Sequence, residues 1–115
     1  MKILCFIDSL SSGGAQNQMI NLSIGLSELN YKIDLVTYFP LNFFEYRIEN
    51  NEKINRIQLE KKDKIGVNVI LDLIRLIKVN KYDFALSFLE TPNFYLVISK
   101  LFCKFKYSFY NFRKE

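Results

Sequence analysis

Blocks of apolar residues alternate with polar stretches along this chain, and the spacing within each block predicts either a strand or a helix. Residues 3–7 form a continuous apolar run, which is typical of a strand buried on both faces of a parallel sheet. Beyond a polar turn, apolar side chains recur at steps of three and four residues. This period predicts an amphipathic helix with its core stripe at Ala15, Met19, Leu22, Leu26 and Leu29. Asn30 is predicted to follow that helix in a left-handed conformation.

The later blocks continue the alternation of strands and helices. The predicted elements are a strand over 33–38 that ends before Pro40, a short helix and loop over 41–51, a strand near a sheet edge over 54–59, a helix over 66–80, a strand over 83–88, a helix from 91 to about 104, and a strand over 107–112. On the helix over 66–80 the polar positions share one narrow stripe, made of Asn68, Asp72, Arg75 and Lys78. We therefore expect nearly every other position of that helix to be buried.

The order of elements predicts the fold class. Strands that alternate with helices call for a parallel sheet with right-handed crossovers. We expect an α/β fold, a Rossmann-like open parallel sheet of about five strands with helices on both faces. A chain of 115 residues has room for one domain, and no linker or internal repeat divides it. Residues 1–115 are therefore predicted to form a single Rossmann-like domain.

Composition narrows the chemistry. The chain has no histidine, which removes the commonest general base and the commonest metal ligand, so we expect no metal and no cofactor. Cys5 and Cys103 lie in apolar blocks, which indicates buried, reduced thiols rather than a disulfide or a nucleophile. Basic and aromatic residues interleave over 100–114, but no nucleic-acid motif accompanies them. A helix followed by a buried strand explains that pattern better than a nucleic-acid surface.

Charge and hydropathy bear on location. The first apolar run is too short for a signal peptide, and no run approaches the ~18 apolar residues of a membrane span, so a cytoplasmic protein is expected. The net charge of +4 permits contact with phosphates or an acidic membrane surface. Arg75, Lys78 and Lys81 lie on a very apolar helix, which predicts peripheral contact with acidic headgroups at the inner face of the membrane.

The turn after the first strand is the strongest candidate for ligand binding. Ligands of open parallel sheets bind beyond the carboxyl ends of the strands, and the first amides of the following helix attract anions. Gly13 and Gly14 let a ligand approach the backbone, and Ser12 adds a hydroxyl, so a phosphate or a sugar hydroxyl fits. The spacing matches neither the dinucleotide fingerprint nor a P-loop. An equally weighted alternative is that the turn needs glycine only for its backbone angles.

Two carboxylates fall at predicted strand ends on the same side of the sheet. Asp8 and Glu90 are therefore candidates for neighbouring acid or base groups. The simpler reading, which we favour, is that Asp8 accepts hydrogen bonds from local amides. Glu90, in the same reading, starts a helix. Catalytic residues are left unassigned.

A family resemblance adds to this reading. The opening Lys2-Ile3-Leu4-Cys5-Phe6-Ile7-Asp8-Ser9-Leu10-Ser11-Ser12-Gly13-Gly14-Ala15-Gln16 resembles that of the family 4 glycosyltransferases, and Leu35-Val36-Thr37 resembles the end of their second strand. The block Tyr82-Asp83-Phe84-Ala85-Leu86-Ser87-Phe88 is similar to their fourth strand, and Asn111-Phe112-Arg113 to a later strand end. Enzymes of this GT-B type have two Rossmann-like domains that face each other across a cleft.

The resemblance implies a function for the candidate residues. Gly13 and Gly14 would lie near the donor diphosphate and the acceptor, while Glu90, Asn93 and Arg113 would line the acceptor side. The implied partners are a nucleotide-sugar donor and a glycan or lipid-linked acceptor.

This sequence also departs from the family pattern. Gln16 stands where an acidic residue is usual, and Asn30 where a glycine is usual. The chain is also shorter than a two-domain enzyme of ~150 residues per domain. We expect it to be the N-terminal, acceptor-side half, inactive without the donor-binding half. A non-catalytic remnant or interaction module that keeps the fold is the alternative.

Overall fold

Strands and helices alternate along the chain in the computed structural model, which describes residues 1–99 in full and the backbone of residues 100 and 107–111. The elements are β1 (Lys2–Phe6), α1 (Gly14–Glu28), β2 (Lys32–Thr37), β3 (Ile54–Gln58), α2 (Val67–Asn80), β4 (Phe84–Phe88), α3 (Glu90–Lys100) and β5 (Tyr107–Asn111). A short 3₁₀ turn, Glu45–Arg47, lies between β2 and β3, where the pattern predicts a short helix and a loop.

All strand pairs of the sheet are parallel, in the order β3-β2-β1-β4-β5. Central β1 pairs with β2 through Ile3 and Ile33, and with β4 through Ile3 and Phe84. Strands β1 to β4 fall within residues 1–100, and the backbone of 107–111 pairs with the outer side of β4. The predicted α/β class and open parallel sheet are confirmed, and β3 lies at an edge as expected.

The two faces of the sheet carry separate cores. Along β1, Ile3 and Cys5 face α1, whereas Leu4 and Phe6 face α2 and α3. Complete burial of such a side chain contributes about 1.5–3 kcal/mol, so the continuous apolar run of β1 stabilises both layers at once. Cys5 is free and fully buried, and this burial raises the pKa of its thiol from 9.0 to about 12. The predicted buried thiol is confirmed there, while Cys103 lies outside the described residues.

The predicted core stripe of α1 is partly wrong. Leu29 is 67% exposed, and Ser23 and Ser27 occupy buried positions instead. The Ser23 hydroxyl donates to the Met19 carbonyl at 2.8 Å, so a small hydroxyl can face the core without an unpaired group. The inward face therefore includes Ser23 and Ser27 beside the predicted stripe, of which Ala15 and Met19 are buried and Leu22 and Leu26 partly buried. Asn30 follows the helix with φ 70°, which confirms the predicted left-handed residue.

The predicted burial of α2 is also wrong. Among its apolar residues Val69, Leu73 and Ile77 are buried, whereas Leu71 and Val79 are exposed. The helix belongs to an outer layer, so it packs through one stripe and α3 covers only one flank. Within residues 1–100 no helix combines the length and apolar character that spanning a bilayer requires.

Candidate functional site

The carboxyl edge of the sheet joins the turn after β1 to the loop after β2. The Asp8 carbonyl accepts hydrogen bonds from the Tyr38 amide at 3.0 Å and the Phe39 amide at 2.9 Å. Further along, the Leu10 amide donates to the Leu41 carbonyl at 2.8 Å. These bonds fix the turn at the edge where ligands of parallel sheets bind.

Asp8 organises the turn through its own carboxylate. Its Oδ1 accepts the Ser9 amide at 2.6 Å and the Gln16 side-chain Nε2 at 3.0 Å. The Ser9 hydroxyl in turn accepts the Ser11 amide at 3.3 Å. The favoured reading of Asp8 as an acceptor for local amides is confirmed.

The glycines of the turn are not explained by backbone angles. Gly13 is the N-cap of α1 with φ −72° and ψ 165°, a conformation open to any residue, and Gly14 is the first residue of the helix. Gly13 supplies no side-chain cap, and the first turn of α1 contains no acidic residue. Ser12 and Gly14 are exposed. The turn therefore presents bare backbone and a hydroxyl to solvent, with the positive end of the helix dipole behind it.

Gln16 contributes a buried polar side chain to the turn. The sequence marks it only as a departure from the pattern of the family that the chain resembles. Its side chain is 3% exposed, and the donation from Nε2 to Asp8 fixes which way the amide faces. Oε1 is then buried without a hydrogen-bond partner among the described residues. A buried acceptor without a partner costs about 1–3 kcal/mol.

The predicted residues on the β4 side divide between surface and interior. Glu90 is exposed at the first position of α3, as its predicted helix-starting role requires. Asn93 is fully buried and hydrogen-bonded to the Ser87 hydroxyl. Leu89 between them has φ 78°, a left-handed conformation that few non-glycine residues adopt. The proximity of Glu90 to Asp8 stays a prediction, and Arg113 lies outside the described residues.

An aromatic group at the same edge escaped the sequence reading. Tyr38 and Tyr95 are each 2% exposed and pack edge to face with ring centroids 5.4 Å apart. Phe39 lies 4.8 Å from Tyr38 and is 39% exposed. We call Tyr38, Phe39 and Tyr95 the aromatic platform. Burial, and then the nearby Asp8 carboxylate, raise the pKa of Tyr38, so its hydroxyl stays protonated at neutral pH.

Lys61 rests on this platform. Its Nζ lies 6.0 Å from the ring centroid of Tyr38, 5.7 Å from that of Phe39 and 5.8 Å from that of Tyr95. The aromatic side chains belong to a strand end and a helix, and the lysine to the connector before α2. Their meeting depends on the topology, so no local sequence signal marks it.

The corner between β2 and β3 is closed by Arg56. Its guanidinium donates to Thr37 Oγ1 at 2.6 Å and to Gln58 Oε1 at 2.8 Å, and it lies 3.8 Å from the Glu45 carboxylate. Burial lowers the pKa of Arg56, and Glu45 opposes that shift. This network joins the edge strand β3 to the end of β2 and to the loop that follows it.

Comparison with known proteins shows a distant similarity to a curated protein. No family model matches the chain. Over 107 residues the chain is 26% identical to a curated protein of Campylobacter jejuni, GalNAc-alpha-(1->4)-GalNAc-alpha-(1->3)-diNAcBac-PP-undecaprenol alpha-1,4-N-acetyl-D-galactosaminyltransferase. The chain is similar to a glycosyltransferase.

The extent of that similarity is unequal in the two proteins. The match covers 88% of this chain but 29% of the Campylobacter protein. The shared region therefore includes most of the domain described above, and the chain spans less than a third of its relative. The likeness and the parallel α/β sheet together support a glycosyltransferase-like function.

Proposed function

We propose that this chain is the acceptor-side domain of a family 4-like, GT-B-type glycosyltransferase. The whole enzyme would transfer a sugar from a nucleotide-sugar donor to a glycan or lipid-linked acceptor. The observation that carries the proposal is the similarity to an N-acetylgalactosaminyltransferase over nearly the whole chain. The glycine turn at the carboxyl edge supplies a binding surface of suitable chemistry.

In this proposal the turn contacts the phosphates of the donor and the hydroxyls of the acceptor. Gly13 and Gly14 offer backbone groups at the start of α1, where the helix dipole favours an anion, and Ser12 offers a hydroxyl. Glycosyl transfer needs both substrates held together in a cleft that excludes water. Because one wall does not enclose such a cleft, the 115-residue chain alone is expected to show no transferase activity. Turnover by the purified chain would contradict the proposal that this chain forms only the acceptor side of the cleft.

The acceptor named for the relative is a glycan on undecaprenyl diphosphate, which favours a lipid-linked acceptor here too. Arg75, Lys78 and Lys81 are exposed on α2 and at its end, together with the apolar Leu71. We propose that this surface contacts acidic headgroups at the inner face of the membrane. The chain should sediment with phosphatidylglycerol vesicles at low salt, and failure to do so would remove the membrane contact from the proposal.

The glycine turn can be tested directly by NMR. Titration of the ¹⁵N-labelled chain with UDP-N-acetylgalactosamine should shift the amide signals of Gly13, Gly14 and Gln16. Gly14→Asp places a carboxylate where the diphosphate would lie and should abolish these shifts. Gly25→Asp is the matched control, because Gly25 is exposed on the same helix with nothing within 4 Å of an added Cβ.

The two variants separate binding from stability. Unchanged shifts in Gly14→Asp would show that the turn does not bind the donor. An absence of any shift in the unaltered chain would favour the alternative, a non-catalytic module that retains the fold.

A further inference from the structure

Lys61 is an unusual cation among the described residues. It is half-buried in the connector between β3 and α2, yet no ion pair joins it to a carboxylate within residues 1–100. Its ammonium faces the three rings of the aromatic platform instead. Aromatic faces attract a cation through their quadrupoles but leave its full charge in place. Within residues 1–100, the Lys61 ammonium therefore has no carboxylate as a direct ion-pair partner.

The connector that carries Lys61 is anchored on both sides of it. The Asp63 carboxylate accepts the Val67 amide at 3.2 Å and also bonds the Gly66 amide, which lowers the pKa of Asp63. The Lys62 amide donates to Asn68 Oδ1 at 3.0 Å. Gly66 has φ 83° and lies directly against the Tyr95 ring, where a Cβ would overlap it. These contacts order the connector directly after Lys61.

The place of this charge in the fold is informative. Tyr38 and Phe39 follow β2, and their amides bond the Asp8 carbonyl in the turn after β1. The platform and Lys61 therefore adjoin the glycine turn at the carboxyl edge of the sheet. The Asp8 carboxylate, which raises the pKa of Tyr38 after burial does, already accepts bonds from Ser9 and Gln16 through Oδ1. The edge offers a fixed cation beside a partly exposed aromatic ring.

We propose that Lys61 and the aromatic platform form a subsite for a sugar linked to a phosphate or diphosphate. The ammonium donates charge-assisted hydrogen bonds to the phosphate oxygens. Phe39, the exposed ring, packs against the apolar face of the sugar. The proposal rests on the glycosyltransferase function proposed above and deepens it by naming residues outside the glycine turn. A nucleotide sugar and a lipid-linked sugar diphosphate share this chemistry.

The first experiment measures inorganic pyrophosphate binding to the 115-residue chain by NMR titration. Lys61→Met keeps the unbranched stem on the rings and removes the charge, so it should weaken binding about tenfold, the loss expected for a charged hydrogen bond. Lys62→Met removes the same charge from an exposed neighbour and should change the affinity less than about twofold. Lys61→Arg should retain binding. Thermal unfolding of each variant shows whether it folds.

The second experiment separates the phosphate from the sugar and the two sources of ligand. Phe39→Leu should weaken UDP-N-acetylgalactosamine or a short-chain polyprenyl-diphosphate sugar about threefold or more, as expected for a lost ring contact, while pyrophosphate affinity stays unchanged. The ligand whose affinity depends on both Lys61 and Phe39 is the one that the subsite takes. If Phe39→Leu leaves the affinity for both sugar ligands unchanged, the assignment of the Phe39 ring to the sugar is wrong.

The outcomes also separate this subsite from the proposed function. If pyrophosphate shifts the Gly13 and Gly14 signals equally in Lys61→Met and the unaltered chain, the subsite is wrong and the transferase proposal stands. If Lys61→Met and Lys62→Met lose pyrophosphate affinity equally, the effect comes from the change in net charge. That result also overturns the subsite. If no phosphate ligand binds the folded chain, both proposals fail. A loss of pyrophosphate affinity in Lys61→Met that Lys62→Met does not show supports the subsite, whether or not the signals of Gly13 and Gly14 shift.

Discussion

At the amino edge of the sheet, Lys2 pairs with the buried Asp34 carboxylate at 3.5 Å and donates to Asn80 Oδ1 at 2.7 Å. The Tyr82 hydroxyl bonds the same carboxylate, and burial, reinforced by Asp34, raises the pKa of Tyr82. At the carboxyl edge, by contrast, the Lys61 ammonium faces three aromatic rings, and neither an ion pair of Lys61 nor a partner of Gln16 Oε1 is found among the described residues.

Charged and polar side chains thus have different surroundings at the amino and the carboxyl ends of the strands. The amino edge joins β1, β2, α2 and the approach to β4 through bonds between protein groups, which is how buried charges are normally accommodated. In the described part of the chain, the carboxyl edge has a lysine without an ion pair, a buried acceptor without a donor and a leucine with φ 78°. Polar capacity left unused in a folded domain indicates where ligand groups complete the hydrogen bonding.

The largest effect is expected at the amino edge. Asp34→Ala leaves Lys2 without its partner and the buried Tyr82 hydroxyl without an acceptor, so unfolding in urea should show a loss of about 3 kcal/mol. Asp72→Ala is the control, because the Asp72–Arg75 pair is solvent-exposed and should contribute less than about 0.5 kcal/mol. A loss below about 1 kcal/mol for Asp34→Ala would show that the contacts of Asp34 with Lys2 and Tyr82 contribute little to the stability of the fold.

The second largest effect is expected at Gly66, which lies against Tyr95 of the aromatic platform. Gly66→Ala introduces a Cβ that overlaps the Tyr95 ring and forces alanine to φ 83°, so we expect a loss of about 2 kcal/mol in the free energy of unfolding. Gly25→Ala, in open space within α1, should gain about 0.5–1 kcal/mol because alanine favours the helix. Equal changes in both variants would show that Tyr95 does not depend on Gly66.

A smaller, pH-dependent effect is expected at the turn. Gln16→Glu places a second carboxylate beside Asp8 and should cost between about 1 and 2 kcal/mol at pH 7. Folding raises the pKa of the introduced carboxyl, so the loss should be absent below its unfolded pKa of about 4 and grow as the pH rises through that value.

The control for this effect lies two residues further along α1. Gln18→Glu makes the same charge change at an exposed position and should be close to neutral at every pH. Urea unfolding of both variants at several pH values would measure the difference. A cost for Gln16→Glu that does not change between pH 4 and pH 7 would contradict the pairing with Asp8.

Much of the fold could be predicted from the sequence because its strands and turns have strong local signals. The apolar run at residues 3–7 identifies a strand buried on both faces, and Asn30 tolerates the left-handed conformation that ends α1. The direction in which each helix faces was harder to predict. Ser23 and Ser27 join Leu22 and Leu26 on the inward side of α1, because their hydroxyls bond helix carbonyls, while Leu29 is exposed.

The candidate site was predicted only in part for a related reason. The glycine turn lies within one short segment, so its residues could be named from the chain alone. Asn93 was also named as a binding residue, but the structure buries it against Ser87. Whether it contacts a ligand stays a prediction. The aromatic platform and Lys61 come from three separate segments, and no spacing rule connects them.

By itself the sequence determined the order of the elements, the parallel sheet they form and the position of the glycine turn, because these follow from local periodicity and turn chemistry. The tertiary structure alone decided which polar groups find partners. Lys2 and Asp34 meet because β1 and β2 are neighbours, while Lys61 faces three rings and forms no ion pair with a carboxylate of residues 1–100. Hydrogen bonds and ion pairs act over a few ångströms, so their pattern exists only after distant segments have been packed together.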